Sequence, residues 1–253
     1  MKIKNIILLS IKLSILLIIF FHHTSYSQMS KKEIDKERAL YKNNKVKSVI
    51  ITGNKGFKNI TEIDSEGKKI KSNDFYDNQE ANITNYKYDS YGNLTEESYY
   101  GYESGDGSTS TFEYDEFGNV KSILTEGIDD HKSSFRYDNY GNVTLIEIND
   151  IGLNPQPPFI KEFENIYTDE RISTITQICN SNIETADNTQ YTYDKELTFS
   201  VENFEKNCID GTLKFTFRKT YTYFPNMLVK QTSSEYDYNK SVEINKYDYE
   251  NYR

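Results

Sequence analysis

The segment Tyr114-Asp115-Glu116-Phe117-Gly118-Asn119 decides the fold, because near-copies of it recur along the chain. Two copies read Tyr88-Asp89-Ser90-Tyr91-Gly92-Asn93 and Tyr137-Asp138-Asn139-Tyr140-Gly141-Asn142, and a looser one reads Ile63-Asp64-Ser65-Glu66-Gly67-Lys68. Successive aspartates lie 23 to 26 residues apart. A repeat of this length indicates an array of supersecondary units.

Each repeat predicts a β-hairpin with its tip at the Asp-x-x-Gly tetrad. Asp at the first position of a type I turn caps backbone N–H groups, and Gly at the fourth tolerates a positive φ. A type I turn closed by a left-handed Gly forms a three-residue hairpin loop with a β-bulge. The predicted turn residues are Asp64 and Gly67, Asp89 and Gly92, Asp115 and Gly118, and Asp138 and Gly141.

The strand before each tip has the form aromatic-x-Tyr, which places two rings on one face and a polar residue on the other. Such alternation is typical of an antiparallel sheet with one wet side. We expect the rings either to form the apolar face of the sheet or to contact a ligand. The candidate binding residues are Tyr86, Tyr88, Phe112, Tyr114, Phe135, Tyr137, Tyr191 and Tyr193.

Degenerate units extend the array towards the C-terminus. Candidate turns without the Gly follow at Asp169, Asp194 and Asp248, and another at Asn226, which we expect to supply the left-handed residue there. Eight turns imply about sixteen strands, with residues 45–52 as an opening strand. The predicted fold class is all-β, an antiparallel meander of hairpins forming one long twisted or curled sheet. Residues 247–253 begin a turn with no return strand, which predicts an open edge or a truncated sequence.

The N-terminus has the layout of a secretory signal peptide. Residues 1–27 combine a basic start, an apolar run and a short polar stretch ending in a small residue. An uncleaved membrane anchor is the alternative, although the apolar run is short and Lys12 interrupts it. We interpret residues 28–43 as a polar tether or short helix, and 44–253 as the repeat domain. We therefore predict export to the periplasm, the medium or the cell surface, with no membrane span after cleavage.

The charge argues against nucleic acid as a partner. The whole chain has a net charge of −9, and removing three lysines with residues 1–27 leaves 27 basic against 39 acidic side chains, or −12. A protein this acidic repels phosphate backbones and anionic membrane surfaces.

The two cysteines, Cys179 and Cys208, form an even pair in an exported chain, which favours a disulfide. They lie about one repeat apart, so equivalent positions of adjacent repeats could bring them together. The alternative is two free, buried thiols.

The Tyr-Asp-x-x-Gly-Asn runs at 88–93, 114–119 and 137–142 resemble the YD repeats of Rhs and teneurin-like proteins. That resemblance implies a long antiparallel sheet that spirals into a hollow shell, which in bacterial members can enclose a C-terminal toxin. This chain is shorter than a shell requires, and no toxin domain or autoproteolytic segment follows its repeats. The resemblance therefore implies the sheet and not the toxin function.

Residues for catalysis are scarce. His131 is the only histidine after residue 27, and we interpret it as part of an exposed turn. The turn role explains the row of aspartates without catalysis, and their spacing does not match a calcium-binding loop. We expect no enzyme activity, metal or cofactor. The sequence favours a binding or scaffold module for a glycan or protein partner; the alternative is an orphan or truncated component of an Rhs-type toxin system, as a shell fragment or antagonist.

Overall fold

The computed structural model describes residues 31–252, apart from 129, 153–154, 180–183, 195–196 and 238–240. The predicted signal peptide at 1–27 therefore lies outside the described residues. Those residues form one helix and sixteen strands. In the part of the chain that the structure describes, no helix has the length and apolar character needed to cross a membrane.

The elements follow one another along the chain without a crossover. Their bounds are α1 Lys31–Asn43, β1 Val46–Thr52, β2 Phe57–Ile63, β3 Lys69–Tyr76, β4 Gln79–Tyr88, β5 Leu94–Gly101, β6 Gly107–Tyr114, β7 Val120–Glu126, β8 His131–Tyr137, β9 Val143–Asp150, β10 Phe159–Thr168, β11 Arg171–Gln177, β12 Thr185–Asp194, β13 Leu197–Asn207, β14 Leu213–Tyr223, β15 Val229–Tyr236 and β16 Val242–Asn251.

Each strand pairs antiparallel with its neighbours in sequence, and β1 pairs with β16, so the sheet is a closed barrel. The predicted all-β antiparallel meander is confirmed, whereas the predicted open edge is wrong. Asp248, expected to begin a turn, lies within β16 and pairs with Ile50. Closure gives the backbone groups of both edge strands hydrogen-bond partners, which removes an exposed edge.

The four Asp-x-x-Gly turns share one geometry, shown by the third. The carboxylate oxygen Oδ1 of Asp115 accepts hydrogen bonds from the backbone N–H groups of Phe117 at 2.9 Å and Asn119 at 2.8 Å. Gly118 has a φ of 81°, and its N–H donates to the Asp115 carbonyl at 3.1 Å. The register also shifts between Glu113 and Tyr114, because β7 carries an extra residue, Lys121, between Val120 and Ser122.

The degenerate turns close in other ways. Met227, with a φ of 66°, occupies the left-handed position that was predicted for Asn226. The Asp169 turn is a two-residue loop in which Asp169 and Glu170 both have positive φ, the backbone that fits the twist of a hairpin. The tip expected after Asp194 falls at residues 195–196, outside the described residues.

The two faces of the sheet differ in burial. Along β8, Ser133 and Phe135 are buried while Lys132 and Arg136 are exposed. Burial also raises the pKa of Tyr114, Tyr221 and Tyr247 on the same face as Phe135, and we therefore take this face as the concave one, although Ala186 and Asn188 of β12 are buried on the other. We call the concave face the inner face. All the aromatic-x-Tyr rings lie on it, because they share the phase of Phe135.

Helix α1 lies at the end of the barrel that carries the Asp-x-x-Gly turns, which we call the turn end. Its Leu40 and Tyr41 pack against a cluster of Val46, Val49 and Ile63. Three polar contacts hold the helix against the first two Asp-x-x-Gly turns. Lys42 pairs with Glu66 at 2.6 Å, Glu37 pairs with Lys69 at 3.2 Å, and Arg38 donates to the Gly92 carbonyl at 2.8 Å. The stretch predicted as a tether or short helix thus covers part of one mouth.

A disulfide lies at the opposite end. Cys179 follows β11 and Cys208 follows β13, and the two are bridged with their Cα atoms 5.5 Å apart. The bond joins two neighbouring connections at that end of the barrel.

We predict that Gly67→Ala destabilises the protein more than Gly105→Ala. Both glycines have positive φ, which costs a side chain about 1–2 kcal/mol. A Cβ on Gly67 would lie 2.2 Å from the Arg38 carbonyl oxygen, whereas one on Gly105 meets nothing within 4 Å. Urea unfolding should therefore give an additional loss of about 1 kcal/mol or more for Gly67→Ala. Equal losses would show that α1 does not pack against this turn.

Candidate binding surface on the inner face

All eight predicted binding residues lie on the inner face. Six come from β4, β6 and β8, and two from β12. Phe135 is 9% exposed, and the other seven are half-buried. The same row continues through Tyr167 of β10, Tyr221 and Tyr223 of β14, and Tyr247 and Tyr249 of β16. We call the whole row the tyrosine wall. Its last members were missed as binding residues, although Tyr247 and Tyr249 carry the aromatic-x-Tyr signal.

The second tyrosine of five pairs holds the preceding hairpin. Its hydroxyl donates to the carbonyl of the residue that directly precedes the extra residue of the bulge in that hairpin. These hydrogen bonds run from Tyr114 to Leu94 at 2.8 Å, Tyr137 to Val120 at 2.8 Å, Tyr193 to Ile172 at 2.8 Å, Tyr223 to Thr198 at 2.7 Å and Tyr249 to Val229 at 2.8 Å. Burial raises the pKa of Tyr114 to about 12, so the phenol remains a donor at physiological pH. The second tyrosines therefore serve primarily to hold the fold together.

The β10 unit uses a different arrangement for the same carbonyl. Asn165 donates to the Val143 carbonyl at 3.1 Å, in the place where other units use a tyrosine. Tyr167 instead donates its hydroxyl to the carboxylate of Asp138, and its ring lies 4.4 Å from that of Tyr140. Burial alone would raise the pKa of Asp138, but the hydrogen bonds from Tyr167, Asn165 and the turn backbone lower it by more. A carboxylate held in this way is a structural anchor rather than a general base.

Helix α1 covers the part of the wall nearest to it. The Arg38 guanidinium lies 5.2 Å from the centroid of the Tyr88 ring, and the Lys68 ammonium lies 5.6 Å from it. The gap between α1 and the wall at Tyr114 has a volume of about 20 Å³, which suffices for roughly one water molecule. A ligand larger than water cannot occupy this gap, so α1 restricts access to this part of the wall.

The first member of each pair lies two residues further from the turn end. These residues are Tyr86, Phe112, Phe135, Tyr191, Tyr221 and Tyr247. The contacts of α1 described above lie on β1 to β7 and their turns. Tyr191 on β12 and Tyr221 on β14 are half-buried and lie on other strands, so we take them as the candidates for contact with a ligand.

No catalytic or metal centre emerges among residues 31–252 as described. These residues contain no group of three or more His, Cys, Asp or Glu side chains placed to hold a metal ion. His131, predicted in a turn, is the first residue of β8 and pairs with Thr125 and Asp150. Its neighbour Asp129 lies outside the described residues.

No protein-family model matches the chain, and no curated protein matches it in sequence. A porin-like protein from Bacteroides uniformis ATCC 8492 is similar in structure, with 11% identity, a TM-score of 0.39, and coverage of 82% of this chain and 97% of that one. TcdB2-TccC3-Cdc42 and TcdB2-TccC3 without its hypervariable C-terminal region each show 9% identity and a TM-score of 0.26. This chain covers 14% of each of those two, and they cover 74% and 75% of it.

We predict that Tyr137→Phe lowers the free energy of unfolding by about 1–2 kcal/mol. The change removes only the hydroxyl and leaves the Val120 carbonyl without its donor in a half-buried position. Tyr91→Phe is the matched control, because that side chain is 91% exposed at a turn tip, and it should change stability by less than about 0.5 kcal/mol. A similar small effect for both would mean that the hydroxyl does not hold the preceding hairpin.

We predict a pH-dependent penalty for Asp138→Asn. The pKa of Asp138 is lowered from its ordinary value of 3.8, so the carboxylate stabilises the fold above that value, and this is lost as the pH falls through the lowered pKa. The stability difference from wild type should therefore be largest at neutral pH and shrink below about pH 4. Asn139→Ala, in the same turn without a titrating group, should give a difference that does not change with pH. A constant difference for Asp138→Asn would contradict the assignment.

Proposed function

We propose that this protein is an exported, non-enzymatic binding module that holds a glycan against the tyrosine wall inside its barrel. The observation that carries the proposal is the partial exposure of the inward rings. In a filled core these rings would be fully buried, yet Tyr86, Tyr191 and Tyr221 are only half-buried in a closed sheet. A barrel of sixteen strands is too wide for side chains to fill, and an accessible lumen follows.

The chemistry of the wall suits an extended polar ligand with apolar faces. Tyrosine offers both a ring face and a hydroxyl, so one row can stack against sugar rings and exchange hydrogen bonds with their hydroxyls. A closed barrel admits an oligosaccharide chain more readily than a folded protein. These features favour a glycan over a protein among the two partner classes expected from the sequence.

A protein partner is the second candidate, favoured by one observation. The third position of successive turns carries an exposed ring, in Tyr91 at 91%, Phe117 at 75% and Tyr140 at 56%. Aromatic residues exposed side by side are enriched at protein interfaces. They lie at the turn tips, and one of them, Tyr140, contacts Tyr167 of the tyrosine wall, so the two candidate surfaces adjoin at that turn.

We also propose that the hairpins are YD repeats. The Asp-x-x-Gly turn, the bulge and the tyrosine hydrogen bond to the preceding hairpin recur together, which supports a repeated unit. The pairing of β1 with β16 leaves no free edge for further repeats, and this favours a self-contained barrel over a shell fragment. The Cys179–Cys208 disulfide supports export into an oxidising compartment.

We predict that the exported protein binds oligosaccharides on a glycan array, and that Tyr191→Leu and Tyr221→Leu each weaken this binding about tenfold or more. Loss of a stacking ring removes contact area that leucine cannot replace. Tyr100→Leu is the control, since that ring is 43% exposed on the outer face, and it should bind as wild type does. If no glycan on the array binds, the proposal is overturned. If both wall variants bind as wild type does, the tyrosine wall is not the binding surface.

A further inference from the structure

We propose that the ligand of the tyrosine wall is anionic, and that Lys219 binds its negative charge. This inference rests on the proposed function and narrows it to acidic glycans, in which uronic acids supply the carboxylate. Lys219 is a cation on the inner wall whose charge no acidic group of the described protein balances.

Lys219 lies on β14 in phase with Tyr221, so its side chain shares the inner face. Its cross-strand partners are Val201 on β13 and Ser234 on β15. The ammonium lies 5.5 Å from the centroid of the Tyr221 ring. A carboxylate bound by this ammonium would therefore sit beside a ring that was assigned above to sugar stacking.

In lacking a counter-ion, Lys219 differs from Lys161, another inward lysine. Within the described residues, no carboxylate lies within 4.0 Å of the Lys219 ammonium, whereas the inward Lys161 pairs with Asp187 at 3.3 Å. The adjacent Arg218, which faces outward, pairs with Glu202 at 2.6 Å. Another inward carboxylate, Glu243 of β16, lies in the same row but two strands from Lys219, with Ser234 of β15 between them. Two strand spacings amount to about 10 Å, which is too far for an ion pair. Burial lowers the pKa of Lys219, and no neighbouring charge opposes this.

A second polar group at the same place is also unsatisfied. Thr232 pairs with Tyr221 across β14 and β15, is 1% exposed, and its Oγ1 makes no hydrogen bond within the described residues. The phenol of Tyr247 lies near it, close enough for the threonine hydroxyl to lower its pKa, but not in hydrogen-bonding geometry. A buried hydroxyl without a partner costs stability.

The energetic cost of these groups supports a role in binding. A desolvated cation without a partner destabilises a fold, and a methionine would fill the same space without that cost. Such departures from the rules of a stable core concentrate at functional sites. The rest of the protein is acidic, with a net charge of −12 after residue 27, so an inward cation without a carboxylate partner gives an anion a defined place to bind.

The test compares acidic oligosaccharides with their neutral counterparts. We would measure by calorimetry the binding of galacturonate, mannuronate and glucuronate oligomers and of the same oligomers after reduction of their carboxyl groups. At least one acid should bind about tenfold or more tightly than its reduced form, as expected for a charge-assisted hydrogen bond. Lys219→Met should abolish that difference. Lys246→Met, an equal charge change at an exposed outward position of β16, should retain it.

The outcomes separate the two proposals. Equal affinity for acids and their reduced forms would overturn the role of Lys219 and leave a neutral-glycan module in place. Failure of every glycan to bind would overturn the proposed function, and this inference with it.

The stability of Lys219→Met provides a second measurement. Because the change removes an unpaired cation, the melting temperature should stay the same or rise. A clear fall would show that the lysine is balanced in the fold and would contradict the inference. If that variant does not fold, we would instead measure the rate at which Lys219 is acetylated in the wild-type protein. Bound uronate oligomers should slow this acetylation. An unchanged rate would equally overturn the proposal.

Discussion

The hydrogen bond from the second tyrosine of five pairs to the carbonyl beside the preceding bulge is the interaction on which the rest of the structure depends. Each bulge interrupts a ladder and leaves a carbonyl that needs a donor. The tyrosine on the next strand provides one, as Tyr137 of β8 does for Val120 of β7. Each such bond contributes about 1 kcal/mol, and it links neighbouring hairpins and fixes the phase of the aromatic rows. The β10 unit shows that the carbonyl is the constraint, since Asn165 serves Val143 there when Tyr167 is used elsewhere.

This linkage explains how a chain with a small apolar core can close a wide barrel. The buried apolar residues gather in two local clusters, one at α1 around Val46 and one on β7 to β9 around Val120. Between them the inner face carries hydroxyls and amides that bond across strands, such as Ser110 with Thr125 at 2.9 Å. Stability therefore comes from ladders, turns and these side-chain bonds, and the lumen does not need to be filled. Helix α1 caps the apolar cluster nearest the first and last strands, where closure brings the two ends of the repeat domain together.

The local parts of this architecture were predictable from the sequence, and the non-local parts were not. Turn chemistry and alternation are properties of six to ten residues, so the hairpins, the left-handed glycines and the aromatic face followed from single repeats. Closure depends on β1 and β16, which are far apart in the chain, and Tyr247-Asp248-Tyr249 resembles the start of another turn. Met227 takes the left-handed position although a non-glycine residue rarely has a positive φ. The tertiary structure therefore decides this turn, and the local sequence does not predict it. Lys219 had no sequence signal, since its isolation depends on which strands become its neighbours.

Under the proposed function, the same linkage divides the aromatic pairs between folding and binding. The second ring of a pair lies beside the turn and is held by its hydroxyl, so its orientation is fixed before any ligand arrives. That fixed ring supports the first ring, two residues further along the strand, and holds it in place on the wall. Preorganised rings lose little entropy when a ligand binds, which is the usual requirement for a stacking surface. On β14, Lys219 lies next to such a ring. Its desolvation without a partner lowers the stability of the fold, and under the proposal a bound anion would offset that loss.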